Sequence, residues 1–339
     1  MTGLRIGFIG CGLIARTHAR GLSGLPDIEI GPVTDIDQRR AAAFAAELPA
    51  ATVVTSPSEV IANSDAVYVC TWTAAHPPLV EQAAEAGRAV FCEKPLAVDL
   101  ETAQTMTDAV EQAGVINQVG LVLRHSPAFR WLAARINEPQ VGPLMSVVFR
   151  DDQYLPIQGL YGSTWRADKT KAGAGTLLEH SIHDLDLLSW MMGPIASVSA
   201  NHTSFHGLDG IEDQASVMLV AVSGAQATLT SVWHDVLSRP SQRRVEAFCQ
   251  RAVLTLEGDW NGPVWAETTN GPEDPIEGSR LSAFAANADK GGTNPDADFV
   301  AAVTEGRPAK PDFGLALEAH RLADAAYRSA QANGTPMNL

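Results

Sequence analysis

The sequence predicts an α/β fold: an N-terminal doubly wound parallel sheet, then a C-terminal α+β domain built on a largely antiparallel sheet. Three observations carry this expectation. Between Leu4 and Gly120, short apolar runs alternate with helix-length, Ala-rich stretches, the pattern of strands covered on both faces. A GxGxxA turn closes the first of those runs. After Gly120 the alternation gives way to strands clustered with hairpin-length connections. With 339 residues, 45% of them apolar, the chain can bury two cores, and the expected boundaries are 1–121 and 122–339.

The expected strands of the first part are Leu4 to Ile9, Ile28 to Thr34, Thr52 to Thr55, Ala66 to Thr71, Ala89 to Cys92 and Val115 to Val119. Helices are expected over Leu13 to Leu22, Gln38 to Leu48, Pro78 to Ala86 and Leu100 to Gln112, the last with Asp99 as N-cap and Gly114 as stop. Pro32 falls inside the second strand and would delete a ladder hydrogen bond, so a bulge or an early end to pairing is expected there. In the second part, a Pro-interrupted segment from Arg124 to Pro143 leads to a strand, Met145 to Arg150, and then to one helix from Thr176 to Met192. Strands Val198 to Phe205, Ala215 to Val222, Ala225 to His234, Arg244 to Cys249 and Ala252 to Glu257 follow. Val217 to Val222 is apolar throughout, which predicts cover on both faces: helices on one, a second subunit of a homodimer or homotetramer on the other. Gly258 to Asn294 reads as a long surface excursion, and two helices, Pro295 to Thr304 and Phe313 to Asn333, close the chain.

Charge excludes several partners. Lys and Arg total 24 against 39 Asp and Glu, a formal net charge of −15 with no basic run, which argues against nucleic acid and anionic membrane surfaces. No apolar stretch approaches the roughly 20 residues of a spanning helix, and the N-terminus runs directly into a strand, so a cytoplasmic chain is expected. Cys11, Cys70, Cys92 and Cys249 form no CxxC pair and read as small buried hydrophobes in a reducing compartment.

Chemistry first appears at Gly10-Cys11-Gly12-Leu13-Ile14-Ala15, between a strand and a helix. Gly10 permits the tight turn and Gly12 lets the backbone approach a pyrophosphate. Ala15 allows close helix packing, and the amides at Leu13 and Ile14 face the anion. Asp35, 25 residues beyond Gly10, ends the second strand where an acid accepts ribose hydroxyls and repels a 2′-phosphate, which favours NAD over NADP. Asp37 reads as a helix cap, and Arg39 and Arg40 leave NADP open.

The fifth strand runs into Glu93, Lys94 and Pro95, placing Lys94 at the carboxyl end of a parallel sheet, where ligands bind. In the second part, Glu179, His183 and Asp186 stand four and three residues apart, on one face of the expected helix. A carboxylate and an imidazole stacked in this way suit proton transfer from an alcohol losing hydride, the alternative being a plain i,i+4 charge pair. A metal site through His180 and His183 is set aside, because no Cys ligand accompanies them and hydride chemistry needs no metal.

These residues resemble the glucose-fructose oxidoreductase / inositol dehydrogenase / rhizopine catabolism (Gfo/Idh/MocA) family over almost the whole chain. The likeness rests on the glycine turn, on Glu93-Lys94-Pro95, on Gly173 to Asp186, and on the ending Asp298-Phe299 through Ala326-Tyr327-Arg328-Ser329. It implies a Rossmann domain followed by a substrate-binding and oligomerisation domain. It further implies that Lys94 bonds the reacting hydroxyl and helps place the nicotinamide, while His183 carries the proton. Glu179 stands where many members have Asp, as substrate ligand or partner of His183. Ser181 replaces a frequent Gly. Thr71 and His76 match a cofactor-contacting loop, with Trp72 as adenine stack or edge plug. Arg124, His125, Trp165, Arg166 and His234 match substrate contacts, with junction or core residues as the alternative. His18 is assigned to packing near the cofactor.

The resulting expectation is an NAD(P)-dependent dehydrogenase acting on a secondary hydroxyl or keto group of a cyclic sugar, inositol or polyol. Two alternatives stand beside it: a non-catalytic NAD-dependent sugar sensor, and an enzyme processing keto-sugars or anhydrosugars.

Overall fold

The computed structural model describes residues 3–288 and 292–339. The chain divides into two compact units, Met1–Leu121 with Asn294–Leu317, and Val122–Thr293 with Glu318–Leu339. Residues 294–317 thus return to the first unit, whereas the expected boundaries place them in the second.

The first unit comprises β1 (Leu4–Ile9), α1 (Leu13–Leu22), β2 (Ile28–Thr34), α2 (Gln38–Ala45), β3 (Thr52–Val53), α3 (Pro57–Ala62), β4 (Ala66–Val69), α4 (His76–Glu85), β5 (Ala89–Cys92), α5 (Leu100–Ala113) and β6 (Asn117–Val119). Its six strands run parallel in the order β3-β2-β1-β4-β5-β6. Every residue of β4 and β5 is buried, as a sheet covered on both faces requires. An aromatic ladder crosses the sheet: Phe8 stacks on Tyr68 at 4.8 Å and Tyr68 on Phe91 at 4.6 Å. At Pro32 the β1–β2 register slips, Ile6 facing Ile30 but Phe8 facing Val33, which is the expected bulge. Helix α3 was not among the expected elements. Its signal is nonetheless in the sequence: Ser56 caps the helix by accepting the Glu59 amide, its hydroxyl donates to the Glu59 carboxylate, and Pro57 stands between them.

The second unit contains α6 (Pro127–Ile136), β7 (Leu144–Tyr154), α7 (Lys169–Ala172), α8 (Thr176–Glu179), α9 (Ile182–Met192), β8 (Ile195–Thr203), β9 (Gln214–Ala221), β10 (Gln226–His234), β11 (Gln242–Cys249), β12 (Ala252–Glu257), β13 (Val264–Thr268), β14 (Gly271–Pro272) and α10 (Gly278–Ala288). Next come α11 (Pro295–Glu305), which belongs to the first unit, α12 (Phe313–Gln331), which begins there and continues into the second, and β15 (Met337–Asn338). Strand order is β14-β13-β12-β11-β7-β10-β9-β8-β15, with only the β7–β10 pair parallel among the described residues.

Three expectations for this unit change. The single helix from Thr176 to Met192 is two helices, broken at His180 and Ser181. The supposed excursion from Gly258 to Asn294 contains β13, β14 and α10, with Ile276 bridged to Val264, while 289–291 lie outside the described residues. The apolar run Val217 to Val222 is not covered on both faces within the chain. Val217 and Leu219 are buried, but Met218 is exposed beside Thr228 and Val148, in one row across β9, β10 and β7. Among the described residues, no helix is long and apolar enough to cross a membrane.

Residues 294–317 are fastened to the first unit by polar and aromatic contacts. The Asn294 side chain caps α11 and donates to the Gly21 carbonyl at 2.7 Å. Phe299 packs edge-on against Tyr68 and Phe91. His18 on α1 reaches Asp296 Oδ1 through Nδ1 at 2.7 Å and Glu93 Oε1 through Nε2 at 2.8 Å. Burial by itself disfavours the imidazolium, but the bonds and charges of Asp296 and Glu93 outweigh it and push the His18 pKa up to about 9.

Because this pKa is raised on folding, the stabilisation is complete below the unfolded value of 6.5 and is lost as pH rises through about 9. Urea unfolding at fixed ionic strength should therefore show the wild type losing on the order of 3 kcal/mol more than His18→Gln across that interval. Parallel curves for the two proteins would mean that His18 is uncharged in the fold.

Candidate active site

In the first unit the glycine turn is shaped by what lies beneath it. Gly10 adopts φ 90° with the Cys70 carbonyl directly under it, so a Cβ there would collide with backbone. Gly12 is the opposite case: a Cβ would meet nothing, and no side chain caps the start of α1. Leu13 and Ile14 are exposed at that start. Backbone amides at an uncapped helix N-terminus, with open space above them, suit a pyrophosphate.

Asp35 is buried, and its carboxylate accepts the Cys11 amide at 2.8 Å and the Asp37 amide at 2.9 Å, tying the end of β2 to the turn. Asp37 caps α2, as the sequence indicates. Ile36, between them, is 82% exposed and offers an apolar surface beside the ribose acid, a feature sequence reasoning passed over. The Cys11 thiol is pushed up to about 12, chiefly by burial, and acts as a packing group. This donor set fits a dinucleotide: amides for the phosphates, a carboxylate for the ribose and an apolar platform for the base.

Lys94 lies at the carboxyl end of β5. Its amide donates to Glu93 Oε2 at 3.2 Å, and a side chain at Gly120 would overlap that carboxylate. His76 is buried, its ring nitrogens 3.1 Å from the Pro95 carbonyl, 3.2 Å from that of Leu96 and 3.3 Å from that of Thr71. It therefore braces the Lys94 loop against the end of β4. The Thr71 hydroxyl donates to the Trp72 carbonyl at 3.3 Å.

In the second unit the Glu179–His183 segment is pinned at three points. Ahead of it, Glu212 accepts the amides of Gly175 at 2.8 Å and Leu177 at 3.0 Å, and the Tyr327 hydroxyl at 2.9 Å. At the helix break, Asp151 faces His180 Nε2 at 3.0 Å and accepts the Ser181 hydroxyl at 2.8 Å. Beyond it, Arg243 donates to Asp184 at 2.5 Å, Asp259 at 2.8 Å and Asp151 at 3.2 Å. Burial raises the Asp184 carboxyl to about 7 against the pull of Arg243. Because of the break, Glu179, His183 and Asp186 do not share one helical face. His180 is engaged with Asp151.

Glu179 has no exposed side-chain surface and accepts from Arg166 Nε at 3.1 Å, while the Arg166 guanidinium lies over the Trp165 ring at 4.3 Å. These three expected residues are therefore brought together. His183 follows the break and is buried. Arg124 forks onto Asp186, at 2.7 and 2.8 Å, and lies over Trp190, so this guanidinium holds α9. His234 Nε2 lies 3.4 Å from Asp152, which also binds Arg239, and His125 Nδ1 lies 3.2 Å from the Gly292 carbonyl.

Comparison with known proteins identifies the family. Residues 4–121 match an oxidoreductase family with an NAD-binding Rossmann fold, and 129–255 match the GFO/IDH/MocA C-terminal domain. The chain belongs to the Gfo/Idh/MocA family and is an NAD-dependent oxidoreductase. Among its relatives, inositol 2-dehydrogenase of Rhizobium meliloti (strain 1021) is 28% identical over 337 residues, 96% of each chain. The scyllo-inositol 2-dehydrogenase (NAD(+)) of Bacillus subtilis (strain 168) is 32% identical over 247 residues, 69% of this chain and 70% of that one. Among solved structures, GenD2 from gentamicin A biosynthesis in complex with NAD superposes with a TM-score of 0.83 at 27% identity, over 100% of this chain and 97% of that one.

Gly175 gives this site a sharp test. A Cβ there would overlap the Glu212 backbone, which cannot rotate away. Gly175→Ala is expected to destabilise the fold by about 3 kcal/mol, read as a lower Tm, and to lower kcat in the fraction that folds. An unchanged Tm would mean that the Glu212 clamp yields easily.

Proposed function

We propose that the protein moves a hydride between NAD(H) and a secondary hydroxyl or keto group of a cyclic sugar, inositol or related polyol. The observation that carries this reading is the buried Glu179 carboxylate on Arg166, with the Trp165 ring against that guanidinium, one helix break before His183. An indole face suits the apolar side of a six-membered ring. A guanidinium held in place by a buried carboxylate supplies the donors that vicinal hydroxyls accept. The full-length likeness to a named inositol 2-dehydrogenase supports the same substrate class.

When bound, the nicotinamide accepts or returns the hydride. The protein's residues manage the proton and the geometry. His183 takes the hydroxyl proton as the carbon loses hydride, and returns it in the reverse direction. Lys94 donates to the reacting oxygen, and the covered Glu179 carboxylate aims Arg166, whose remaining N–H groups donate to a neighbouring hydroxyl. Asp35 accepts from the ribose and disfavours a 2′-phosphate, although Arg40 stands 3.9 Å from its carboxylate. Oxidation releases a proton, so that direction is favoured at alkaline pH.

The deciding experiment follows NADH absorbance across inositols, aldoses, polyols and anhydrosugars, with NAD and NADP in parallel. Turnover of an inositol or cyclic sugar with NAD is expected. Tight NAD binding with no turnover on any member of the panel would favour a sensor instead. With the best substrate, Lys94→Ala and His183→Ala should each lower kcat by roughly 100-fold or more and leave NAD affinity nearly intact. Full turnover in both variants would remove these two residues from the mechanism.

We also propose that the exposed row of Val148, Thr228 and Met218 is covered by a second copy of the chain. Sedimentation at micromolar concentration should give at least a dimer, and Met218→Lys should shift it towards the single chain. A wild-type monomer would refute this.

A further inference from the structure

The first unit buries an ionic cluster that none of the roles above uses. The His18 side chain is only 2% exposed and lies between two carboxylates that the chain brings from 75 residues away on one side and 278 on the other. The Tyr68 hydroxyl donates to Asp296 at 3.1 Å, Phe91 meets the imidazole edge-on at 4.7 Å, and the thiols of Cys70 and Cys92 lie within the field of Glu93. Replacing buried ions with apolar groups of the same shape is often neutral for stability, so a cluster of this kind calls for a second role.

The geometry points to His18 as a positioning residue for Lys94, its imidazole clamping the carboxylate on which the Lys94 backbone hangs. Glu93 has two oxygens and two tasks: Oε1 meets His18 and Oε2 accepts the Lys94 amide. Its carboxylate fills the space over Gly120 that a Cβ would take, so turning it away would break both contacts and open a void. On the far side of Lys94, His76 holds the carbonyls of Pro95 and Leu96. The lysine backbone is thus fixed before and after the residue, and His18 is the charged anchor of the first fixing point. Asp296 on α11 holds the other nitrogen of the same imidazole, so a segment from the far end of the chain takes part in aiming this lysine. The inference rests on the reading that Lys94 meets the reacting oxygen, but its test does not depend on that reading.

The test uses the full chain as wild type, His18→Gln, Lys94→Ala and the double variant. Acylation of lysine amines by an activated ester, followed by mass spectrometry at fixed pH, reads the environment of Lys94 directly, with Lys169 and Lys310 as internal references. In His18→Gln the Lys94 rate is expected to change by about threefold or more while the references stay put. With the best substrate, His18→Gln should lower kcat by about tenfold in the wild-type background and by less than about twofold in Lys94→Ala, since a displaced group loses catalysis without new contacts being removed. NAD affinity should stay within about threefold. A lower Tm with unchanged Lys94 labelling, or equal losses of kcat in both backgrounds, would leave His18 a purely structural role and overturn the inference. Normal turnover by Lys94→Ala would sink the proposed chemistry of Lys94, and the labelling would still decide the case for His18. Should His18→Gln fail to fold, Asp296→Asn keeps the imidazole and removes one counter-charge. A shift in Lys94 labelling of about twofold is then expected, and none at all would overturn the proposal.

Discussion

Backbone amides at strand ends and helix breaks have lost their regular partners, and in this chain buried carboxylates take them over. Asp35 accepts the Cys11 amide of the glycine turn, Glu93 accepts that of Lys94, and Glu212 accepts those of Gly175 and Leu177. Each lies where a segment proposed to carry chemistry leaves regular structure. An unpaired buried amide is costly, and a carboxylate is the strongest acceptor a side chain can offer. Each of these segments is therefore held by a buried acid, and removing one would release a segment as well as a charge.

Burying so many acids creates a second demand, which the chain meets with cations assigned to them. Arg243 serves Asp151, Asp184 and Asp259, Arg124 forks onto Asp186, Arg166 holds Glu179, and His18 stands between Glu93 and Asp296. The two units solve this differently. In the second unit the acids just named are held by guanidiniums, charged at any working pH, with the His180 imidazole as a further contact of Asp151. In the first unit the counter-ion is an imidazole, whose charge exists only because two carboxylates hold its pKa at about 9. A titratable counter-ion therefore stands behind Glu93, next to Lys94, while Glu179, Asp184 and Asp186 are held by permanent charges.

The parts of this arrangement that sequence reasoning reached are local. The glycine turn, the Asp37 and Asp99 caps, the bulge at Pro32 and the burial of β4 and β5 each follow from a few neighbouring residues. What it missed depends on long-range pairing. Asp296 is near His18 only in the folded chain, so His18 looked like packing, and α11 looked like part of the second unit. The helix break was hidden because Thr176 to Met192 has helical composition throughout. It forms because Asp151, on β7, holds His180 and Ser181 from outside the helix. Some signal was available: Asp151 falls in the inward series with Val147 and Phe149, and Arg243 in that with Val245 and Ala247. A charge at an inward position of a strand announces a buried pair, though not its partner.

Ser181 shows how such a network can absorb a change of residue. Its family position is often glycine, which would suit a break simply by backbone freedom. Here the backbone of Ser181 has φ −80° and ψ 8°, a conformation open to any residue, and the hydroxyl donates to Asp151 while contacting Ser231, which in turn meets Thr176. The break is thus specified by side-chain hydrogen bonds running from β7 and β10 into the segment that carries Glu179 and His183. Such bonds are directional where glycine is permissive. Glu179 is one methylene longer than the aspartate many members carry, so a fixed break is what allows the longer arm to meet Arg166 in a single, fully buried orientation.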